Sequence, residues 1–146
     1  MRALVVCLGN ICRSPIGEGL LKHHAATNGF ELTVESAGTS GWHQGNLPDE
    51  RSMAVMQLHG HDISGQRSRA LTREDLHLFD WILVMDQQNK ADVLALGLGS
   101  ACVERFVPDQ DVPDPYYGGA NGFETVYTMI DAAAKMWIAQ WQAAKP

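Results

Sequence analysis

Cysteine is scarce in this chain: there are three in 146 residues, and two of them share one short segment. A disulfide framework is therefore excluded, and a reducing compartment, the cytoplasm, is the expectation. Long apolar runs are missing too, so no membrane span is expected, and the first residues read as a core strand rather than a signal peptide. Positive charge is the minority, with 11 Lys and Arg against 17 Asp and Glu and a net charge of −6, which argues against a general nucleic-acid binder. An anionic substrate would have to be attracted locally, not by the global field. The six histidines show no zinc-like spacing, His59-x-His61 being weak evidence alone, so neither metal nor cofactor is expected. Internal repeats, low-complexity tracts and linkers are absent, so residues 1–146 should form a single domain with a substantial core.

What the chain does contain is a loop with chemistry in it. Ala3 to Cys7 is continuously apolar, as in a parallel strand covered on both faces. Leu8-Gly9-Asn10-Ile11-Cys12 follows, and then Arg13-Ser14-Pro15 opens a helix, with Pro15 suited to the first helical position. A helix N-terminus presents N–H donors and a positive dipole end, so the loop feeding it is a natural phosphate cradle. Gly9 lets backbone approach a ligand, and Asn10 tolerates the left-handed conformation a tight cradle needs. A thiol at one end and a guanidinium at the other supply a nucleophile and an anion clamp, which together read as attack on a phosphoester. No Lys-Ser/Thr pair follows the glycine, so a nucleotide-binding loop is excluded.

Further on, Phe30 to Glu35 alternates and predicts a second strand, followed by a polar turn from Ser36 to Asn46. A helix is expected from Pro48 to Leu58, and Thr72 to Asp75 resembles a capping signal for a short helix through Leu78. Trp81 to Met85 reads as strand three, Gln87 to Leu96 as a helix, and Ala101 to Phe106 as strand four, with Cys102 in its core. Phe123, Val126, Ile130, Ala133, Trp137 and Trp141 recur at steps of three or four, which predicts one long amphipathic helix. Strands and helices alternating in this way imply an α/β sandwich with a mostly parallel sheet.

Val6 to Pro15 closely resembles the signature of the low-molecular-weight protein tyrosine phosphatases. The resemblance extends over almost the full length: Ser36-Ala37-Gly38 with Trp42 downstream, Phe79 to Ile82 leading to Met85-Asp86, and Asp114-Pro115-Tyr116-Tyr117-Gly118 follow in the family's order. It implies a three-layer fold with a four-stranded parallel sheet, order 2-1-3-4, flanked by helices, and the phosphate loop after strand one. It also implies that Cys7 is the nucleophile, forming a phosphocysteine, and that Arg13 clamps the phosphoryl oxygens. Backbone N–H groups from Leu8 to Ser14 would hold the remaining oxygens, and the Ser14 hydroxyl would turn to the Cys7 sulfur or simply cap the helix. Asn10 and Ser36 would brace the loop. Asp114 would be the general acid and then the base, selected over Asp109 and Asp111 by family register. Trp42, Tyr116 and Tyr117 would wall the cleft around a phosphotyrosine ring. Cys12 would form a reversible disulfide with Cys7, or else be a small buried side chain.

Where many relatives carry His, this chain has Gln66. The implied partner is a phosphotyrosine-containing protein, such as a bacterial tyrosine autokinase, with neither nucleic acid nor membrane involved. Three other classes share features of this pattern. An arsenate reductase on the same fold needs a further cysteine pair, whereas only Cys102 lies outside the loop. A protein arginine phosphatase of the same family characteristically has Thr at the position of Ile11. A phosphotyrosine-binding module without activity would lose Cys7 or Asp114, and both are present.

Overall fold

The computed structural model describes residues 1–117, 119 and 121–144, with Tyr117 described by its backbone alone. Strand β1 (Arg2–Cys7) leads into helix α1 (Arg13–Thr27), and β2 (Thr33–Gly38) is followed by α2 (Glu50–Leu58). Then come α3 (Asp75–Leu78), β3 (Trp81–Val84), α4 (Gln87–Ala95), β4 (Cys102–Arg105), a 3-10 turn (Pro115–Tyr117) and α5 (Gly122–Ala144). The four strands form one parallel sheet in the order β2-β1-β3-β4, as expected.

The alternation of side chains along β1 divides the core in two. Ala3, Val5 and Cys7 pack with Ile16, Leu20, Ile130 and Trp137 of α1 and α5 on one face. Leu4 and Val6 join Leu76, Ile82, Val84 and Val93 on the other, beneath α3 and α4. With both faces covered, β1 is buried from Ala3 to Cys7, which explains its continuous apolar run. The apolar stripe of α5 lies against α1 and the sheet as its spacing predicts, and Trp137 donates its indole N–H to the Phe106 carbonyl at 2.7 Å.

Two expectations need correction. The second strand runs over Thr33–Gly38, not Phe30 to Glu35, so Ser36, Ala37 and Gly38 belong to the sheet and not to the turn. Phe30 instead closes α1, its N–H donating to the Ala25 carbonyl at 2.9 Å while its ring is buried under the helix. Ser36 to Gly38 pair with Val5 to Cys7, in register with the end of β1. Gly38 leaves room for the loop after β1, because a Cβ there would stand 2.9 Å from the Leu8 carbonyl oxygen. Cys102, expected in the core, is exposed, because β4 is an edge strand only half covered by its neighbours. The other elements start or stop within one to three residues of expectation. Helix α2 begins at Glu50, two residues after Pro48, because the Asp49 side chain caps it by accepting the Arg51 N–H at 2.8 Å. Among the described residues, no helix is long and apolar enough to cross a membrane.

Candidate active site

The loop between β1 and α1 lies at the carboxyl end of the central strand, where ligands sit in open parallel sheets. Its shape depends on Asn10, which adopts a left-handed backbone (φ 57°) and is buried. The Asn10 amide donates to Ser14 Oγ at 2.7 Å and Ser36 Oγ at 2.9 Å, and its carbonyl oxygen accepts the Arg69 N–H at 2.9 Å. Ser36 passes its own hydroxyl hydrogen to the buried Glu18 carboxylate at 2.7 Å. These contacts offset the strain of a non-glycine residue at positive φ. Asn10, Ser14 and Ser36 thus come together as side chains bracing the loop.

The carbonyls of the loop are tied outward. Leu8 O accepts from the Ser40 N–H and hydroxyl at 2.9 and 3.0 Å, and Gly9 O from the Ser68 hydroxyl at 3.2 Å. Ile11 O accepts the Asp49 N–H at 2.8 Å, and Cys12 O the Ser52 hydroxyl at 3.1 Å. A trans peptide points its N–H opposite to its C=O. The N–H groups of Gly9, Asn10, Cys12 and Arg13 therefore point away from these outward carbonyl contacts, an arrangement that can receive an anion. Helix α1 begins at Arg13 with no side-chain cap at Cys12, so Ser14 lies inside the helix and is not its cap.

Cys7 is buried at the floor, with its Sγ 3.1 Å from Ser14 Oγ. Because the Ser14 oxygen already accepts from Asn10, its hydroxyl hydrogen is free to face the sulfur. Arg13 is also buried: its Nη1 donates to Asp86 Oδ2 at 2.7 Å and to the Val112 carbonyl at 2.9 Å, and its Nη2 lies 3.6 Å from Asp114 Oδ2. Burial alone would lower the pKa of the guanidinium, but the facing Cys7, Asp86 and Asp114 outweigh it and hold it above its ordinary value. Asp86 also caps α4, its Oδ1 accepting the Asn89 N–H at 2.7 Å. Sequence reasoning gave Asp86 no role, although an acid between a strand end and a helix start was a visible signal.

These groups open into a small cleft of about 50 Å³. Cys7, Leu8, Gly9, Ile11, Cys12 and Arg13 line it from below, while Trp42, Asp114 and Tyr116 line it from the rim. Trp42 is 75% exposed, while Tyr116 is 37% exposed with the Arg51 guanidinium over its ring. The Tyr117 side chain lies outside the described residues. His43, not singled out from sequence, also lines the cleft, close over Gly9. Asp114 Oδ1 accepts the Tyr116 N–H at 3.0 Å, which orients the carboxyl. Burial, reinforced by Asp49 and Cys7, pushes the Cys12 thiol up to about 12, so it stays protonated near neutral pH. Gln66, in place of the histidine many relatives carry, donates to the Pro15 carbonyl at 3.0 Å. Among the described residues, no group of three or more His, Cys, Asp or Glu is arranged to hold a metal ion.

A parallel α/β sandwich whose central strand ends in a loop with a thiol at one end and an arginine at the other can hold a phosphate ester. The family whose sequence model is described as low molecular weight phosphotyrosine protein phosphatase matches residues 2–146, and the chain belongs to that family. It is 36% identical to the low molecular weight protein-tyrosine-phosphatase YfkJ of Bacillus subtilis, over 97% of this chain and 96% of that one. The crystal structure of YfkJ superposes with a TM-score of 0.92, covering 100% of this chain and 97% of that one at 35% identity. Wzb of Vibrio vulnificus, solved with benzylphosphonate, gives 0.85 at 29% identity over 95% of this chain and 97% of its own. An arginine phosphatase of Drosophila gives 0.92 at 25% identity over 99% and 100%. The chain is an enzyme of the protein tyrosine phosphatase class.

Proposed function

We propose that this enzyme hydrolyses phosphotyrosine in proteins through a phosphocysteine, with Cys7 as nucleophile, Arg13 as clamp and Asp114 as acid and then base. The observation that carries this is the opening of Cys7, Arg13 and Asp114 into one cleft whose floor is an amide nest. In the first step the Cys7 sulfur attacks phosphorus, the bond to the phenolic oxygen breaks, and the Asp114 carboxyl gives that oxygen its proton. In the second step the Asp114 carboxylate takes a proton from water, the water oxygen bonds to phosphorus, and the S–P bond breaks to release inorganic phosphate. Arg13 and the nest meet the negative charge carried by the three phosphoryl oxygens throughout. The Ser14 hydroxyl stabilises charge on the sulfur as attacking and as leaving group.

Aromatic substrates are favoured by the exposed rings of Trp42 and Tyr116 at the rim and by Ile11 in the lining. The benzylphosphonate bound by Wzb, a benzyl group on phosphorus, fits the same preference. The substrate is a phosphotyrosine-containing protein such as a bacterial tyrosine autokinase, a partner class that the family resemblance implies. The likeness to an arginine phosphatase makes phosphoarginine the competing substrate.

The test is turnover of phosphotyrosine and phosphoarginine peptides by the unaltered enzyme, Cys7→Ser and Asp114→Asn. Cys7→Ser is expected to abolish turnover while still binding vanadate. Asp114→Asn should slow phenyl phosphate more than p-nitrophenyl phosphate, whose leaving group needs no proton. Full activity in Cys7→Ser refutes the nucleophile, equal losses on the two esters refute the acid, and preference for phosphoarginine refutes the substrate.

A further inference from the structure

Asp114 and the cradle lie about a hundred residues apart in sequence, yet the carboxyl must meet the leaving oxygen within hydrogen-bond reach. Contacts from the N-terminus of α2 connect the two. On the cradle side, the Asp49 N–H holds Ile11 O at 2.8 Å and the Ser52 hydroxyl holds Cys12 O at 3.1 Å. Arg51 stands between them. Its Nε and Nη2 each donate to an oxygen of Asp49 at 3.0 Å, while Nη1 donates to the Tyr116 carbonyl at 3.1 Å. The guanidinium carbon also lies 5.3 Å from the centre of the Tyr116 ring and 4.7 Å from that of Phe123. Tyr116 in turn donates its N–H to Asp114 Oδ1 at 3.0 Å.

We propose that Arg51 is a positioning residue that ties the acid loop to the phosphate cradle and so sets where the Asp114 proton meets the leaving oxygen. The inference rests on Asp114 being the acid. An exposed ion pair with Asp49 alone would contribute little. What distinguishes Arg51 is that one planar fork is shared between α2 and the acid loop and is stacked against two aromatic rings. A lysine ammonium, being a point charge, cannot make the same three-directional contact. When the fork is lost, sulfur attack and the clamp are unaffected in kind, but the proton transfer to the departing oxygen is misaligned. The penalty then falls on esters whose oxygen needs that proton.

The experiment compares kcat/KM for phenyl phosphate and p-nitrophenyl phosphate in the unaltered enzyme, Arg51→Met, Arg51→Lys, Asp114→Asn and the double variant Arg51→Met/Asp114→Asn. Arg51→Met is expected to lower the ratio of phenyl to p-nitrophenyl phosphate by about tenfold, and Arg51→Lys not to restore it. In the Asp114→Asn background, Arg51→Met should leave that ratio unchanged, because the group it positions is gone. Inhibition by inorganic phosphate should stay within about twofold in Arg51→Met, reporting an intact cradle. Asp49→Asn, which weakens the fork from its other end, should shift the ratio in the same direction. An unchanged ratio in Arg51→Met and Asp49→Asn, full rescue by lysine, or an additive effect in the double variant overturns the inference. Equal loss on both esters in Asp114→Asn alone would instead overturn the reading of the acid, whatever Arg51 does.

Discussion

Replacing Asp86 tests how the arginine clamp is held. One carboxylate does two jobs: Oδ1 caps α4 through the Asn89 N–H, and Oδ2 receives Arg13 Nη1, both at 2.7 Å. Losing an N-cap costs about 1 kcal/mol. Breaking a buried ion pair costs about 3 kcal/mol at the low end of its range, and the low end applies because Val112 O still accepts from the same nitrogen. Asp86→Ala should therefore destabilise the protein by about 4 kcal/mol, and Asp86→Ser, which retains a capping oxygen, by about 3 kcal/mol. Urea unfolding followed by tryptophan fluorescence at neutral pH measures both. If Arg13 serves as the proposed clamp, it would lose its anchor and kcat/KM should fall alike for phenyl and p-nitrophenyl phosphate, unlike the selective loss expected for Asp114→Asn. Stability of Asp86→Ser equal to that of the unaltered protein would refute the argument, because the cap would then account for everything.

Gly38→Ala should cost about 1–3 kcal/mol and weaken inhibition by inorganic phosphate, because the new Cβ presses on the backbone of Leu8, Gly9 and Ser40, which cannot rotate away. Unchanged phosphate binding would show that the cradle tolerates the shift. For acid stability, Asp75 is the group to change. Burial raises its pKa, but the Arg69 fork at 3.0 and 3.1 Å and the Thr72 N–H at 2.8 Å outweigh it and leave the carboxyl below its ordinary range. A depressed folded-state pKa means that the unfolded chain binds the proton first. The stabilisation is therefore present above about pH 4 and is lost as pH falls through the folded value. Asp75→Asn should flatten the decline in unfolding free energy below about pH 4, and an equally steep decline would remove Asp75 as its cause.

The long apolar β1 and the stripe of α5 were legible in the sequence because their periodicity records burial directly. That Cys7 and Arg13 would line one cleft was legible because both belong to one local loop, where spacing along the chain is close to spacing in space. Strand β2 was read three residues early, since Phe30 alternates with its neighbours for a different reason: it closes a helix. Its true end, Ser36 to Gly38, is short in side chain, at Gly38 because the backbone of residues 8 and 9 crowds it, and no pattern within the strand reveals that neighbour.

What the amino-acid order determined by itself was the set of elements and the chemistry of one loop. Only the folded chain decided what that chemistry is joined to. Asp86 holds Arg13 from just after β3, Arg69 and Ser36 support Asn10 from two other segments, and Arg51 reaches the Tyr116 carbonyl from α2. The physical reason is that local structure is governed by short-range propensity and burial period. Contacts between residues 26 to 73 positions apart are fixed only when parallel crossovers bring the carboxyl ends of the strands to one edge of the sheet.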